Sequence, residues 1–202
     1  MSVCMAGRRI LRWGTALCLM VASLPGLLGQ SGVYGLGTPS SVGVEGTSTL
    51  HDWEMTASRF TGFFRLSEEG SEVLIQDLIF EAAVEGLSAE KAKMERDAKK
   101  ALEADRYPLI RFEQAEALRI GSGPVYQKQA DMLLAGRLII KGVRRFSKLP
   151  VSLAKRDDGI LITGAVTLDM TDFGLSPPRA MLGMIKTGKE IVVRYELWWV
   201  PE

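Results

Sequence analysis

Cysteine and histidine are nearly absent from this chain of 202 residues, which carries two cysteines, Cys4 and Cys18, and one histidine, His51. Both cysteines fall in an N-terminal segment with the marks of a cleaved leader, so the mature protein is expected to hold no thiol. That excludes a disulfide framework, a cysteine nucleophile and cysteine-ligated metal. A single histidine without cysteine cannot build the usual zinc site, and no motif places a serine as a triad nucleophile. A charge excess is missing too: 25 basic residues stand against 24 acidic ones, a balance that gives no reason to expect nucleic acid as a partner. The apolar run Trp13–Leu28, bent by Pro25 and Gly26, would measure about 24 Å as helix at ~1.5 Å per residue, short of the roughly 20 residues that span a bilayer. No internal repeat is present.

The residues before that run are basic. Arg8, Arg9 and Arg12 occur there without an acid, and a basic stretch followed by an apolar one resembles a secretory signal. Residues 1–29 are therefore expected to be a signal peptide, cleaved between Gly26 and Gly32, with the product periplasmic or secreted and without a stable membrane span. The pair Arg8-Arg9 also admits a twin-arginine signal. Leu17 before Cys18 is not the small residue that lipoprotein processing prefers. Loss of the three arginines leaves a slight acidic excess. Residues 30–41, which include the Gly, Ser and Pro stretch Ser31–Ser41, read as a linker. Residues 42–202 read as one domain; roughly 170 residues follow the leader, enough for a sizeable core.

Period-two alternation dominates the rest of the chain. From Glu190 to Val200, Ile191, Val193, Tyr195, Leu197 and Trp199 fall on one side, while Glu190, Arg194 and Glu196 share the other with Val192 and Trp198. Such a pattern marks a strand buried on one face. Strands are predicted at Val42–Thr49, Asp52–Arg65, Glu72–Glu85, Leu109–Leu118, Ala130–Lys141, Arg144–Lys155, Ile160–Asp169 and Lys189–Val200. Breakers separate them at Glu69-Gly70, Gly121-Ser122-Gly123-Pro124, Lys141-Gly142 and Asp157-Asp158-Gly159, the last a hairpin signal. One helix is predicted over Ala89–Ala104, capped by Ser88 and stopped at Tyr107-Pro108. Its apolar stripe, Met94, Ala98, Ala101 and Leu102, is narrow and rich in alanine, which suits a helix lying against the outside or end of a barrel.

The fold class is accordingly mainly β: a single eight-stranded antiparallel barrel with one amphipathic helix. Phased by their charged residues, the strands turn Phe80, Ala82, Val84, Ile110 and Phe112 inward. Leu134, Gly136, Leu138 and Ile140 follow, then Ile160, Ile162, Gly164, Val166 and Leu168. The inward glycines are read as leaving room. An interior of this size is either packed with side chains or holds one small ligand, and both readings stand. The charged outer face argues against an outer-membrane barrel, which needs an apolar band.

Four blocks carry a family resemblance: TSTLHDWE (Thr47–Glu54), KMERDAKKALEADRYPLIRF (Lys93–Phe112), AGRLIIKGV (Ala135–Val143) and TDFGLSPPRAMLGMIKTGKE (Thr171–Glu190). In order and spacing they resemble the YceI-like family of exported bacterial proteins. The resemblance implies an elongated lipocalin-like barrel and a carrier in place of an enzyme. It also implies an apolar tunnel for a long isoprenoid, such as a polyprenyl phosphate or a ubiquinone, with no cofactor required. The chain departs from the commoner pattern at Leu50-His51-Asp52-Trp53, a compact first hairpin where many relatives have a longer strand pair.

On that reading Trp53, Phe80, Phe112, Leu138, Ile162, Val166 and Tyr195 are the candidate ligand-binding residues of the barrel wall, joined by Phe173 and Met181 from the apolar loop Met170–Thr187. Ordinary core packing accounts for Trp53 and Phe112 equally well. The loop is either a lid over a tunnel mouth or a permanent plug. Candidate head-group contacts are His51, Arg144 and Lys186; the plainer alternatives are a histidine that orders a turn and basic residues on solvated turns. The expected partner is a long-chain apolar small molecule, and a homodimer is compatible with the sequence. Two other functions compete: a filled barrel serving as a stress-related or protein-interaction module of the cell envelope, and an enzyme or redox subunit using a bound quinone.

Overall fold

The computed structural model describes residues 32–69, 72–121, 129–156, 158–177, 179–180 and 185–202. The expected signal peptide and Met181 lie outside these residues. The first half of the chain gives β1 (Gly32–Leu36), β2 (Ser41–Ser48), β3 (Trp53–Ala57), β4 (Phe60–Glu69), β5 (Glu72–Ala83) and β6 (Leu87–Ala89), then helix α1 (Ala92–Ala101). The second half gives β7 (Leu109–Gln114), β8 (Leu118–Gly121), β9 (Gln129–Ile140), β10 (Val143–Arg156), β11 (Gly159–Asp169), β12 (Arg179–Ala180) and β13 (Ile185–Pro201).

Antiparallel pairing runs β1-β4-β5-β7-β9-β10-β11-β13, and β13 returns to β1 to close the ring. That makes a closed eight-stranded antiparallel barrel with one helix. The shorter strands continue ring members past a bend. β2 extends β1 along β13, β3 extends β4, β6 extends β5 beyond a 3-10 turn at Val84–Gly86, and β8 takes up the pairing with β5 below β7. Three expectations change as a result. The predicted strands Asp52–Arg65 and Leu109–Leu118 are each interrupted, and Glu72–Glu85 ends at Ala83, because a closed ring needs bends that alternation alone does not mark. Gly32–Leu36, within the expected linker, is a paired strand: its backbone satisfies β4 on one side and β13 on the other, and Tyr34 stacks on Phe64 with ring centroids 5.1 Å apart. Ser88 does not cap the helix; it lies in β6, and the Ala89 N–H donates instead to Glu95 Oε1 at 3.0 Å.

Local chemistry fixes the bends. Lys141 and Gly142 both adopt positive φ, 51° and 75°, between the paired residues Ile140 and Val143, the two-residue hairpin geometry that matches strand twist. In β5 the positive φ of Asp77 breaks the ladder, and the Gln114 side chain repairs it: its oxygen accepts from Leu78 N–H and its nitrogen donates to the Ile75 carbonyl, both at 2.9 Å.

The interior is divided along the barrel axis. At the end where β10 turns into β11, Phe64, Ile75, Ile120 and Trp199 are fully or almost fully buried and form a packed floor with Leu66, Val73, Leu153 and Ile160. Phe64 and Trp199 meet there with ring centroids 5.1 Å apart. The opposite end carries α1. Ion pairs Lys99 to Glu85 at 3.1 Å and Lys141 to Glu103 at 3.0 Å tie the helix to the rim, although exposed pairs of this kind each contribute at most ~1 kcal/mol.

Candidate functional site: an apolar cavity under the helix

Between the floor and the helix lies a cavity of about 480 Å³, within the roughly 300–1,000 Å³ typical of small-molecule sites. Alternation builds its wall. The inward positions of β13, Ile191, Val193, Tyr195, Leu197 and Trp199, all line it. Leu138 and Ile140 on β9, Ile162, Val166 and Leu168 on β11, and Phe80 and Ala82 on β5 complete much of the circuit. The interior is thus neither wholly packed nor wholly open.

Of the residues proposed from sequence, Trp53, Phe80, Phe112, Leu138, Ile162, Val166 and Tyr195 stand on this wall. Phe173 does not. It is buried at 3 % exposure in the core beside the cavity, where the 3-10 turn Met170–Phe173, stopped by Gly174 in the left-handed conformation, folds it inward. The same loop sends Met170 and Leu175 to the cavity. Of the three candidate head-group contacts, His51 lies at the cavity mouth, whereas Arg144 is exposed on β10 opposite Ile139 and is not part of the cavity lining. Alternation explains this: Arg144 is out of phase with the wall residues Leu149 and Val151. The backbone of Lys186 pairs with Arg179.

The glycines read as leaving room do not leave it. Each lies beneath an aromatic ring from a neighbouring strand. A Cβ on Gly136 would stand 2.3 Å from Phe112 Cζ, and one on Gly164 would stand 2.6 Å from the Tyr195 hydroxyl. The Tyr195 ring lies across β11, and its hydroxyl donates to the Pro150 carbonyl on β10 at 2.5 Å. Burial pushes the Tyr195 phenol up to about 12, so it remains a donor at neutral pH.

Sequence reasoning missed the helix as part of the wall. Met94, Ala98, Ala101 and Leu102 face the cavity, closing it from above. The narrow alanine stripe was the available signal: small side chains let a helix lie close over an opening. The polar lining gathers at this end, with Ser48, His51, Lys91, Lys93, Asp97, Ser176 and Thr187, while Tyr195 is the polar side chain deeper in. Among the described residues no cluster of His, Cys, Asp or Glu could hold a metal ion, and no helix is long and apolar enough to cross a membrane.

The family model for the YceI-like domain matches residues 38–198, nearly the whole of this barrel. The chain belongs to the YceI-like family. Solved structures share the YceI-like fold at low identity. A polyisoprenoid binding domain from Saccharophagus degradans, implicated in plant cell wall breakdown, has a TM-score of 0.61 at 10% identity, covering 84% of this chain and 98% of its own. BcnA of Burkholderia cenocepacia gives 0.59 at 14% identity, with 79% and 95% covered. The YceI protein of Campylobacter jejuni gives 0.56 at 14%, with 73% and 84% covered. No curated protein matches the chain. At these identities the structural likenesses establish the YceI-like fold and nothing finer.

Proposed function

We propose that this YceI-like chain is an exported, non-catalytic barrel that binds and carries a long apolar lipid of isoprenoid or quinone type, in the periplasm or outside the cell. The observation that carries this reading is the cavity itself: about 480 Å³ of space walled by aliphatic and aromatic side chains inside a closed barrel. Binding is passive. Phe80, Phe112, Leu138, Ile162 and Val166 remove the ligand chain from water, and burying about 300 Å² at ~25 cal/mol per Å² contributes roughly 7 kcal/mol before ordering costs. Family membership and the polyisoprenoid binding domain among its structural neighbours support the ligand class. The basic and then apolar N-terminus supports export.

Native mass spectrometry of the protein from its host's envelope, followed by lipid extraction, tests the proposal. A stoichiometric long-chain lipid is the expected result. A bare protein mass, with no uptake of added polyprenyl phosphate or quinone, would overturn it and return attention to a protein-interaction role.

A further inference from the structure

We infer that the outer face shared by β9 and β10 is a docking surface for an anionic membrane, with Phe146 and Leu133 entering the lipid interface and Arg137, Arg144 and Lys148 meeting its phosphates. The inference takes its choice of partner from the lipid-binding reading and concerns a part of the molecule outside the cavity.

Strand alternation defines the face. Leu149 and Val151 on β10, and Leu134 and Leu138 on β9, line the cavity, so the positions that alternate with them point outward. Antiparallel register sets those positions side by side as Arg144 with Ile139, Phe146 with Arg137, Lys148 with Ala135 and Pro150 with Leu133. Phe146 is 58 % exposed and Leu133 is 54 % exposed. Among the described residues the only other large hydrophobic more than half exposed is Leu50, so the two on this face are a concentration and not a scatter.

The whole chain is nearly balanced in charge, with 25 basic and 24 acidic residues, but this face is one-sided. Strand β10 carries Arg144, Arg145, Lys148, Lys155 and Arg156 and no acid. Among the described residues no carboxylate pairs with Arg137, Arg144 or Lys148. Neighbouring acids are turned to other bases. Glu113, across from Arg137 on β7, and Glu81 on β5 both hold Arg111, at 3.0 and 3.2 Å. Asp169 holds Lys189, and Asp172 stands beside Arg145, whose Nε donates to its carbonyl oxygen. Asp131 lies beyond Leu133 on β9, at the register shift opposite Val151–Leu153. Even with Glu81 and Glu113 counted, Arg111, Arg137, Arg144 and Lys148 outnumber them.

Bases set among exposed apolar side chains match the interface of an anionic bilayer, where rings and aliphatic groups enter the acyl boundary and Lys and Arg meet phosphate. Position favours a membrane over an acidic protein. Strand β10 pairs with β11 from Ser152 to Arg156, and its stretch Val143–Val151 forms a ladder with β9 alone. Leu149 and Val151 on one side of that parting and Val166 and Leu168 on the other line the cavity. A membrane seated on this face is therefore separated by β10 alone from the space proposed for its lipid.

Flotation with vesicles tests the inference, using the protein and its variants purified from the host's envelope. Phosphatidylcholine vesicles are compared with vesicles of phosphatidylcholine and phosphatidylglycerol in equal parts. The anionic vesicles are expected to carry about tenfold more protein at low salt, the difference fading as salt is added. Arg144→Glu with Lys148→Glu is expected to abolish the preference and Phe146→Ser to cut binding severalfold. The charge-matched pair Arg96→Glu with Lys100→Glu, at exposed positions of α1, is expected to leave it intact. Ubiquinone uptake from detergent, measured in parallel, is expected to be the same in all these variants, so the lipid-binding reading is judged separately. Equal flotation with both vesicles, or equal loss in the two paired variants, overturns the docking inference. No flotation with either vesicle also overturns it and leaves the face to an acidic protein partner, whatever the uptake result.

Discussion

Phe112 lies over Gly136 so closely that any side chain on the glycine would collide with it, the nearest ring carbon standing 2.3 Å from the position of the missing Cβ and the Glu113 carbonyl 2.5 Å away. The ring can turn, but the carbonyl belongs to the strand and cannot. Gly136→Ala is therefore expected to destabilise the barrel by about 1–3 kcal/mol, the usual cost of overpacking. Thermal denaturation should show a loss of at least a few degrees, and an unchanged melting temperature would contradict this packing.

Val166 stands on the cavity wall and is only half-buried. A tryptophan there projects into open space where the ligand chain would lie. Val166→Trp is expected to abolish lipid uptake and to keep the circular-dichroism spectrum of the wild type. Full uptake by the folded variant would remove the cavity from the binding reading.

Tyr195 and Asp169 give opposite pH signatures. Burial raises the Tyr195 phenol from 10 to about 12, so the folded state holds its proton more tightly than the unfolded one. The associated stability is present below about pH 10 and is lost as pH rises toward 12. Burial also raises Tyr34, with Glu68 adding to the shift, so alkaline unfolding reports both. Tyr195→Phe should remove one component from an ultraviolet titration and, by deleting the bond to Pro150, cost about 0.5–1.5 kcal/mol at neutral pH.

Asp169 is held at about 2, first by its hydrogen bond with Lys189 and then by Thr171. A carboxyl depressed from 3.8 contributes stability above about pH 4 that disappears as pH falls toward 2. Asp169→Asn keeps an oxygen for the Thr171 N–H and loses the charge. The acid-unfolding profile of the variant, followed by circular dichroism, should be flatter between pH 4 and 2; a profile identical to wild type would show that the pair carries no linkage.

Alternation made most of the wall legible before the structure: every inward position of β13 named from sequence lines the cavity. It could not reveal contacts across strands. Gly136 and Gly164 look like gaps in a one-dimensional pattern, and only the neighbouring strands show Phe112 and Tyr195 filling them. That Arg144 stands off the cavity lining was hidden for a related reason, since a basic turn looks the same whichever side of the barrel it faces. Gly32–Leu36 carries the composition of a linker, and its order comes from partners that are distant in sequence. Lys91 carried no signal of its own; the pairing of β2 with β3 and of β3 with β6 brings His51 and Lys91 to the same rim.

Strand β13 pairs with β1, β2, β11 and β12, so the barrel is sealed by a strand that is made after all of its partners. Tyr34 must find Pro201, and Glu45 must find Val192, across almost the full described sequence. Contacts this remote place the molecule among slow folders, on the order of milliseconds to seconds. Until they form, β1, β2 and β11 expose unpaired backbone edges, the state in which a β-protein is open to aggregation and to capture by a chaperone.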